Sequence, residues 1–197
     1  MRIINYILIC SALISQSCNG QIAPKKEIFN KEFNWKITIP EGFENVNAVE
    51  WAKMQNKGKE AIEKTYGGEV ENKTKVIFAF RADKFNYFES NWQPYDVSKD
   101  GDYLESCKKI NQILFDTFKN QMPGAKLDSL SSEQTIDGLK FNKFKMVINF
   151  PNNMVMDFIM FNRLFDKKEF TVSIIGIDKK KTELLLEAWK NSKFIKE

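Results

Sequence analysis

The sequence predicts an α+β fold: a mainly antiparallel sheet of about six strands with helices on both faces. Turn signals at Asp137-Gly138, Pro151-Asn152-Asn153-Met154 and Asp166-Lys167-Lys168-Glu169 cut the last third of the chain into four consecutive antiparallel strands. Those strands are apolar on both sides, so the sheet has to be covered on both sides. Amphipathic stretches with capping pairs supply the cover.

In chain order, Phe33 to Ile39 reads as a strand, because Trp35, Ile37 and Ile39 alternate with polar residues until Pro40 ends the run. Asn47 and Glu50 make a capping pair for a helix to about Tyr66, with Trp51, Met54, Ala61, Ile62 and Tyr66 as its apolar stripe and Gly67-Gly68 closing it. Val76 to Phe80 is too short for a helix and reads as an interior strand, followed by an aromatic loop from Asp83 to Tyr95. Asp102 and Glu105 cap a second helix, whose stripe of Tyr103, Cys107, Ile110, Leu114 and Phe118 runs up to Pro123.

The hairpin turns set a register. They place Ile136 opposite Leu139, Phe150 opposite Val155 and Phe165 opposite Phe170. One face then collects Phe144, Met146, Ile148, Phe150, Val155, Ile159, Phe161, Val172 and Ile174, and the other Val147, Met156, Phe158, Met160, Ile175 and Ile177. The alternation slips between Phe141 and Phe144, which predicts a bulge at Asn142-Lys143. A last helix from about Lys180 to Asn191 presents Leu184, Leu185, Ala188 and Trp189.

The chain begins with Arg2 and a twelve-residue apolar run, Ile3 to Ile14, followed by Ser15-Gln16-Ser17-Cys18. A cationic start, a short apolar core and small residues before a cut are the marks of an export signal, and the run is too short for a membrane span. Ser17-Cys18 resembles the bacterial lipoprotein signal, in a relaxed form with Ser15 where Leu is usual. The resemblance implies cleavage before Cys18 and lipidation of that residue; the alternative is ordinary cleavage near Gly20 and a secreted protein. No acid precedes Glu27, and by the same resemblance the anchor is expected to face the periplasm.

The expected organisation is therefore a signal peptide at 1–17, a tether at 18–31 and a single α+β domain at 32–197, monomeric and held to the membrane through its N-terminal lipid. Cys10 leaves with the signal and Cys18 takes the lipid. Cys107 remains in a helical stripe as a small buried hydrophobe.

Charge and composition exclude more than they propose. The chain has 30 basic and 26 acidic side chains, its lysines are dispersed among the acids, and only Arg2, Arg81 and Arg163 are arginines. That is a solvated surface, not a nucleic-acid footprint. There is no histidine, which removes Ser-His and Cys-His nucleophile activation and the commonest transition-metal ligand together. No phosphate-binding glycine loop or dinucleotide fingerprint occurs, so no cofactor and no catalytic residue is assigned.

The order strand, helix, strand, helix, four-strand meander and helix resembles the PsbP-like family of α/β/α sandwiches over about residues 33 to 195. The likeness is carried by Phe33 to Pro40 before Glu41-Gly42-Phe43, by Ile136-Asp137-Gly138-Leu139, and by Asn191-Ser192-Lys193-Phe194. It implies the sandwich and an accessory or binding role rather than catalysis.

Three local features are weighed both ways. Tyr87, Phe88, Trp92 and Tyr95 are a candidate partner surface, against a connection packed back on the sheet. Asp157, among apolar strand neighbours and opposite Ile148, is a candidate buried carboxylate, against a strand-end acid that reaches solvent or a lysine. Lys179-Lys180-Lys181 is a candidate contact for an anionic lipid surface or acidic partner, against a solvated turn capped by Asp178. The expected function is a lipid-anchored binding or accessory module with a protein partner; the alternatives are a carrier of an apolar ligand between sheet and helix, and an enzyme lacking histidine.

Overall fold

A computed structural model describes residues 26–69 and 71–195; the expected signal peptide and the expected lipidation site Cys18 lie outside the described residues. Ten strands and four helices follow one another: β1 (Lys26–Asn30), β2 (Trp35–Ile39), β3 (Glu44–Asn45), α1 (Ala48–Tyr66), β4 (Lys75–Asp83), β5 (Asn86–Pro94), α2 (Val97–Asp100), α3 (Tyr103–Gln121), β6 (Lys126–Ile136), β7 (Leu139–Asn149), β8 (Val155–Phe165), β9 (Lys168–Gly176), α4 (Lys179–Lys190) and β10 (Lys193–Phe194). Seven of the strands make one sheet in the order β3-β4-β5-β9-β8-β7-β6, and β1-β2-β10 make a second. Every strand pairing is antiparallel.

The helices form where caps and periodicity place them. Asn47 Oδ1 accepts from Glu50 N at 2.9 Å and Asp102 Oδ1 from Glu105 N at 2.9 Å, each satisfying an orphan donor of a helix start. Gly67 ends α1 in the left-handed conformation with φ 72°. Asp137 and Gly138 both have positive φ, 47° and 80°, the two-residue turn that puts Ile136 opposite Leu139.

Two cores lie on opposite faces of the large sheet. One is aromatic: Trp35, Phe80, Phe88, Phe141, Phe161, Phe170 and Trp189 pack between that sheet, the small sheet and α4. The other is smaller, with Leu114, Phe115 and Phe118 of α3 against Phe144, Met146, Phe158 and Met160.

Five expectations need correction. Residues 26–30 are not tether: they form β1, and Ile28 pairs with Ile37. The segment read as an aromatic loop is the nine-residue strand β5, central enough to pair with both β4 and β9. No bulge interrupts β7, whose register to β6 and β8 is continuous. Instead Phe141 turns into the aromatic core while Phe144 and Met146, at the other parity, meet α3.

The fourth correction is a slip of one residue at the β7–β8 turn. Phe150 N donates to Met154 O at 2.8 Å and Asn153 takes φ 63°, so the loop is one residue shorter than expected and Ile148 faces Met156. A one-residue slip exchanges faces. Phe144, Met146 and Ile148 therefore share a face with Met156, Phe158 and Met160, not with Ile159 and Phe161. At the β8–β9 turn Phe165 pairs with Lys168 rather than Phe170, a shift of two that leaves the faces as expected.

Candidate functional site

The face of the large sheet under α1 and α3 is unusually polar. Tyr87, Glu89, Asn91 and Gln93 alternate along β5, and Glu169, Thr171 and Ser173 lie beside them on β9. This is the side away from Phe88 and Phe170, which point into the aromatic core. Glu89 and Glu169 are both buried.

Buried carboxylates persist only where donors satisfy them. Glu89 accepts from Tyr87 Oη at 2.7 Å, Asn91 Nδ2 at 2.7 Å and, from α1, Gln55 Nε2 at 2.9 Å. Burial, and then the Glu89 carboxylate, push the Tyr87 phenol far above its ordinary range, which keeps it a neutral donor. Glu169 accepts from Gln93 Nε2 at 2.7 Å. Its carboxyl is raised above its ordinary value because burial outweighs the donors. The Tyr103 hydroxyl is buried beside it without a hydrogen bond of good geometry, and burial pushes both this phenol and the Cys107 thiol up.

The sign for Glu169 follows from linkage. A carboxyl whose folded value lies above its unfolded one binds more protons in the folded state, so its contribution to stability falls as pH rises above the unfolded value. We expect Glu169→Gln to gain melting temperature relative to the parent as pH is raised from about 4 to 7. Parallel thermal melts at the two pH values check this, and a gain that shrinks with rising pH contradicts it.

At the outer edge of this polar floor lies an open cleft of about 750 Å³ between α1 and the end of β4. It is lined by Glu44, Glu50, Lys53, Met54, Lys57, Arg81, Ala82, Asp83, Lys84 and Tyr87. Arg81 donates to Glu50, and Lys181 reaches Asp83 at 2.6 Å. The Lys181 ammonium holds the Asp83 carboxyl down to about 2. Two of the cleft's three acids are thus neutralised internally, whereas Lys53 and Lys57 form no ion pair among the described residues. The covering helix is half-buried at most: Trp51, Met54 and Ile62 turn inward, Val49 is 67 % exposed, and its polar ties to the rest of the fold include Glu50, Gln55 and Tyr66, whose hydroxyl donates to Asp116 at 3.0 Å.

The candidates from sequence fare differently. Tyr87, Phe88 and Tyr95 are buried, and Tyr95 is spent on Gly101 O at 3.0 Å. Trp92 is half-buried under the ammonium groups of Lys75 and Lys168, at 4.6 and 5.4 Å from its ring. These four are therefore no partner surface: a strand, not a loop, carries Tyr87, Phe88 and Trp92, and Tyr95 lies just past its end. Asp157 follows the second of its two readings, an acid that reaches solvent and a lysine: its side chain is 29 % exposed and pairs with Lys145 at 3.0 Å. It faces Val147 rather than Ile148, and the acids that are buried are Glu89 and Glu169. The signal for these two was the polar alternation Glu89-Asn91-Gln93 and Glu169-Thr171-Ser173 within aromatic strands. Among the described residues, no group of three or more Cys, Asp and Glu side chains converges as a metal site.

The architecture matches a solved one. The solution structure of cyanobacterial PsbP (CyanoP) from Synechocystis sp. PCC 6803 superposes with a TM-score of 0.56, covering 91% of this chain and 98% of that one at 10% identity. The fold is PsbP-like. At that identity the likeness shows the fold alone. The Saccharomyces cerevisiae Ran-binding protein Mog1p aligns over 86% of this chain and 95% of its own, at 10% identity and a TM-score of 0.40, too low to add to the argument. No family model matches the sequence, and no curated protein does. The likeness assigns no residue of the cleft.

Proposed function

We propose that the chain is a non-catalytic binding module, lipid-anchored at Cys18 and facing the periplasm, which holds an acidic segment of a protein partner in the cleft between α1 and β4. The observation that carries this is the charge balance of the cleft: Glu50 and Asp83 are engaged by Arg81 and Lys181, while Lys53 and Lys57 at its wall, against the single acid Glu44, form no ion pair among the described residues. Binding an acid there costs no existing ion pair. The buried carboxylates are committed to internal donors, which argues against acid-base catalysis, and the space an apolar carrier would need is filled by rings such as Trp35, Phe170 and Trp189, with centroids 5.0 to 6.2 Å apart.

The test is a photo-crosslinking residue at Lys57, with Lys109 on the exposed side of α3 as control, in cells making the full chain. We expect one protein adduct from position 57, none from 109, and loss of the adduct when Lys53→Glu is added. Equal labelling from both positions contradicts the cleft. In the same cells Cys18→Ser should abolish incorporation of labelled fatty acid and release the protein from membranes; labelling that persists places the anchor elsewhere.

A further inference from the structure

We infer that the end of the domain where the chain enters it is a membrane-apposed face that lies on anionic phospholipid. The inference rests on the anchored reading above and adds an orientation to it. Lys26, the first described residue, pairs with Ile39, so the chain joins the domain at the end where β2 runs out into Pro40 and Glu41. Only residues 19–25 separate it from Cys18, and a fully extended chain of that length spans at most roughly 29 Å. A lipid on Cys18 therefore keeps this end toward the bilayer.

Two turns project from that same end. The β4–β5 turn carries Lys84 and Phe85, and the β9–α4 turn carries Lys179 and Lys180. They are fastened side by side: Asn86 Oδ1 accepts from Ile177 N at 3.3 Å and Asp178 N at 3.1 Å, and Lys181 pairs with Asp83 at 2.6 Å. Asp83 is neutralised in doing so, and Asp178, which keeps its charge, caps α4 through Lys181 N at 3.0 Å. Lys84, Lys179 and Lys180 are left exposed and outside any ion pair among the described residues. Phe85 stands 44 % exposed with the Lys84 ammonium 5.4 Å from its ring, an apolar tip beside a cation.

This is the composition of an interfacial contact: an aromatic ring at the boundary with lysines over the headgroups. The exposed acids nearby are Glu27, which is paired with Lys36 at 2.8 Å, and Glu41, Glu44, Asp178 and Glu183. The opposite end presents Asp96, Asp100, Asp102 and Asp166 beside Lys31, Lys75, Lys99 and Lys167. The capped turn and the lipid contact expected for Lys179-Lys180-Lys181 are compatible, because the cap uses Asp178 and leaves two of the three ammonium groups free.

The experiment uses the full acylated chain in vesicles of phosphatidylcholine with or without added anionic phosphatidylglycerol. A fluorophore is placed at Glu41→Cys or, at the opposite end, Lys99→Cys; Cys18 is blocked by its lipid and Cys107 is buried. With a quencher on the lipid headgroup, we expect quenching about threefold stronger at 41 than at 99 in anionic vesicles, falling toward parity at high salt or with Lys84→Glu and Lys180→Glu together. Equal quenching at both positions on a floating chain overturns the orientation alone. A chain that does not float with vesicles overturns the anchor and this inference with it. Strong quenching at 41 that ignores lipid charge, salt and both substitutions overturns the role of the lysines.

Discussion

Trp189→Ala should lower the stability of the domain by about 3–5 kcal/mol, the largest loss of any single core truncation in this fold. Trp189 is fully buried, and its ring lies 5.1 Å from Phe141, 5.5 Å from Phe161, 5.8 Å from Trp35 and 6.2 Å from both Phe170 and Phe194. It is the side chain by which α4 joins both sheets, so its removal leaves a hole that neither sheet can close without moving against the other. Aromatic contacts of this kind add to simple burial. For a domain of this size the loss corresponds to a fall of roughly 6–20 °C in melting temperature. Trp189→Phe should cost much less, because the indole nitrogen has no hydrogen-bond partner and the ring is the part in use. Leu184→Ala, on the exposed face of the same helix, is the control and should stay within about 1 kcal/mol. Denaturant unfolding of the three variants checks the order; a Trp189→Ala loss as small as that of Leu184→Ala would show that α4 is not tied to the core through this ring.

Much of this architecture is legible in the sequence, and what is not fails for identifiable reasons. Caps such as Asn47 and Asp102 are local chemistry, fixed by a side chain and a donor three residues on, so they can be read without knowing the fold. The Asp137-Gly138 hairpin is legible for the same reason. The turn after Phe150 is not, because Asn153 in the left-handed conformation removes one residue from the loop, and nothing in Pro151-Asn152-Asn153 announces which asparagine will do so. That single residue moved Asp157 from Ile148 to Val147 and exchanged a whole face of β7.

The candidate site was hidden by a different ambiguity. Glu89, Asn91 and Gln93 alternate with Phe88, Ser90 and Trp92, a pattern that fits a strand with one wet face as well as a loop. Their burial depends on α1 and α3 crossing over them, which is tertiary information. The same holds for Phe141 and Phe144. An apparent slip in alternation is a straight strand shared between two cores, and only the placement of α4 and α3 distinguishes this from a bulge.

Gly176→Ala should be nearly as damaging as many core truncations, although it adds one methyl group. Gly176 ends β9 where α4 folds back over it, and a Cβ there would lie 1.9 Å from Thr182 Oγ1, 3.0 Å from its Cβ and 3.3 Å from its Cγ2. The hydroxyl cannot swing aside freely, because it donates to Asp178 O at 2.8 Å and Thr182 is itself buried. Either that bond breaks or the first turn of α4 lifts from the sheet. Overpacking of this kind costs about 1–3 kcal/mol, and the displaced turn also carries the Asp178 cap. Thr182→Ala removes the closest clash but keeps the 3.0 Å contact, so the double variant should recover part of the loss and not all of it. A double-mutant cycle read by denaturant unfolding measures this, with a favourable coupling of about 1 kcal/mol or more expected between two residues in contact. Strict additivity would mean that α4 approaches β9 less closely than the geometry requires.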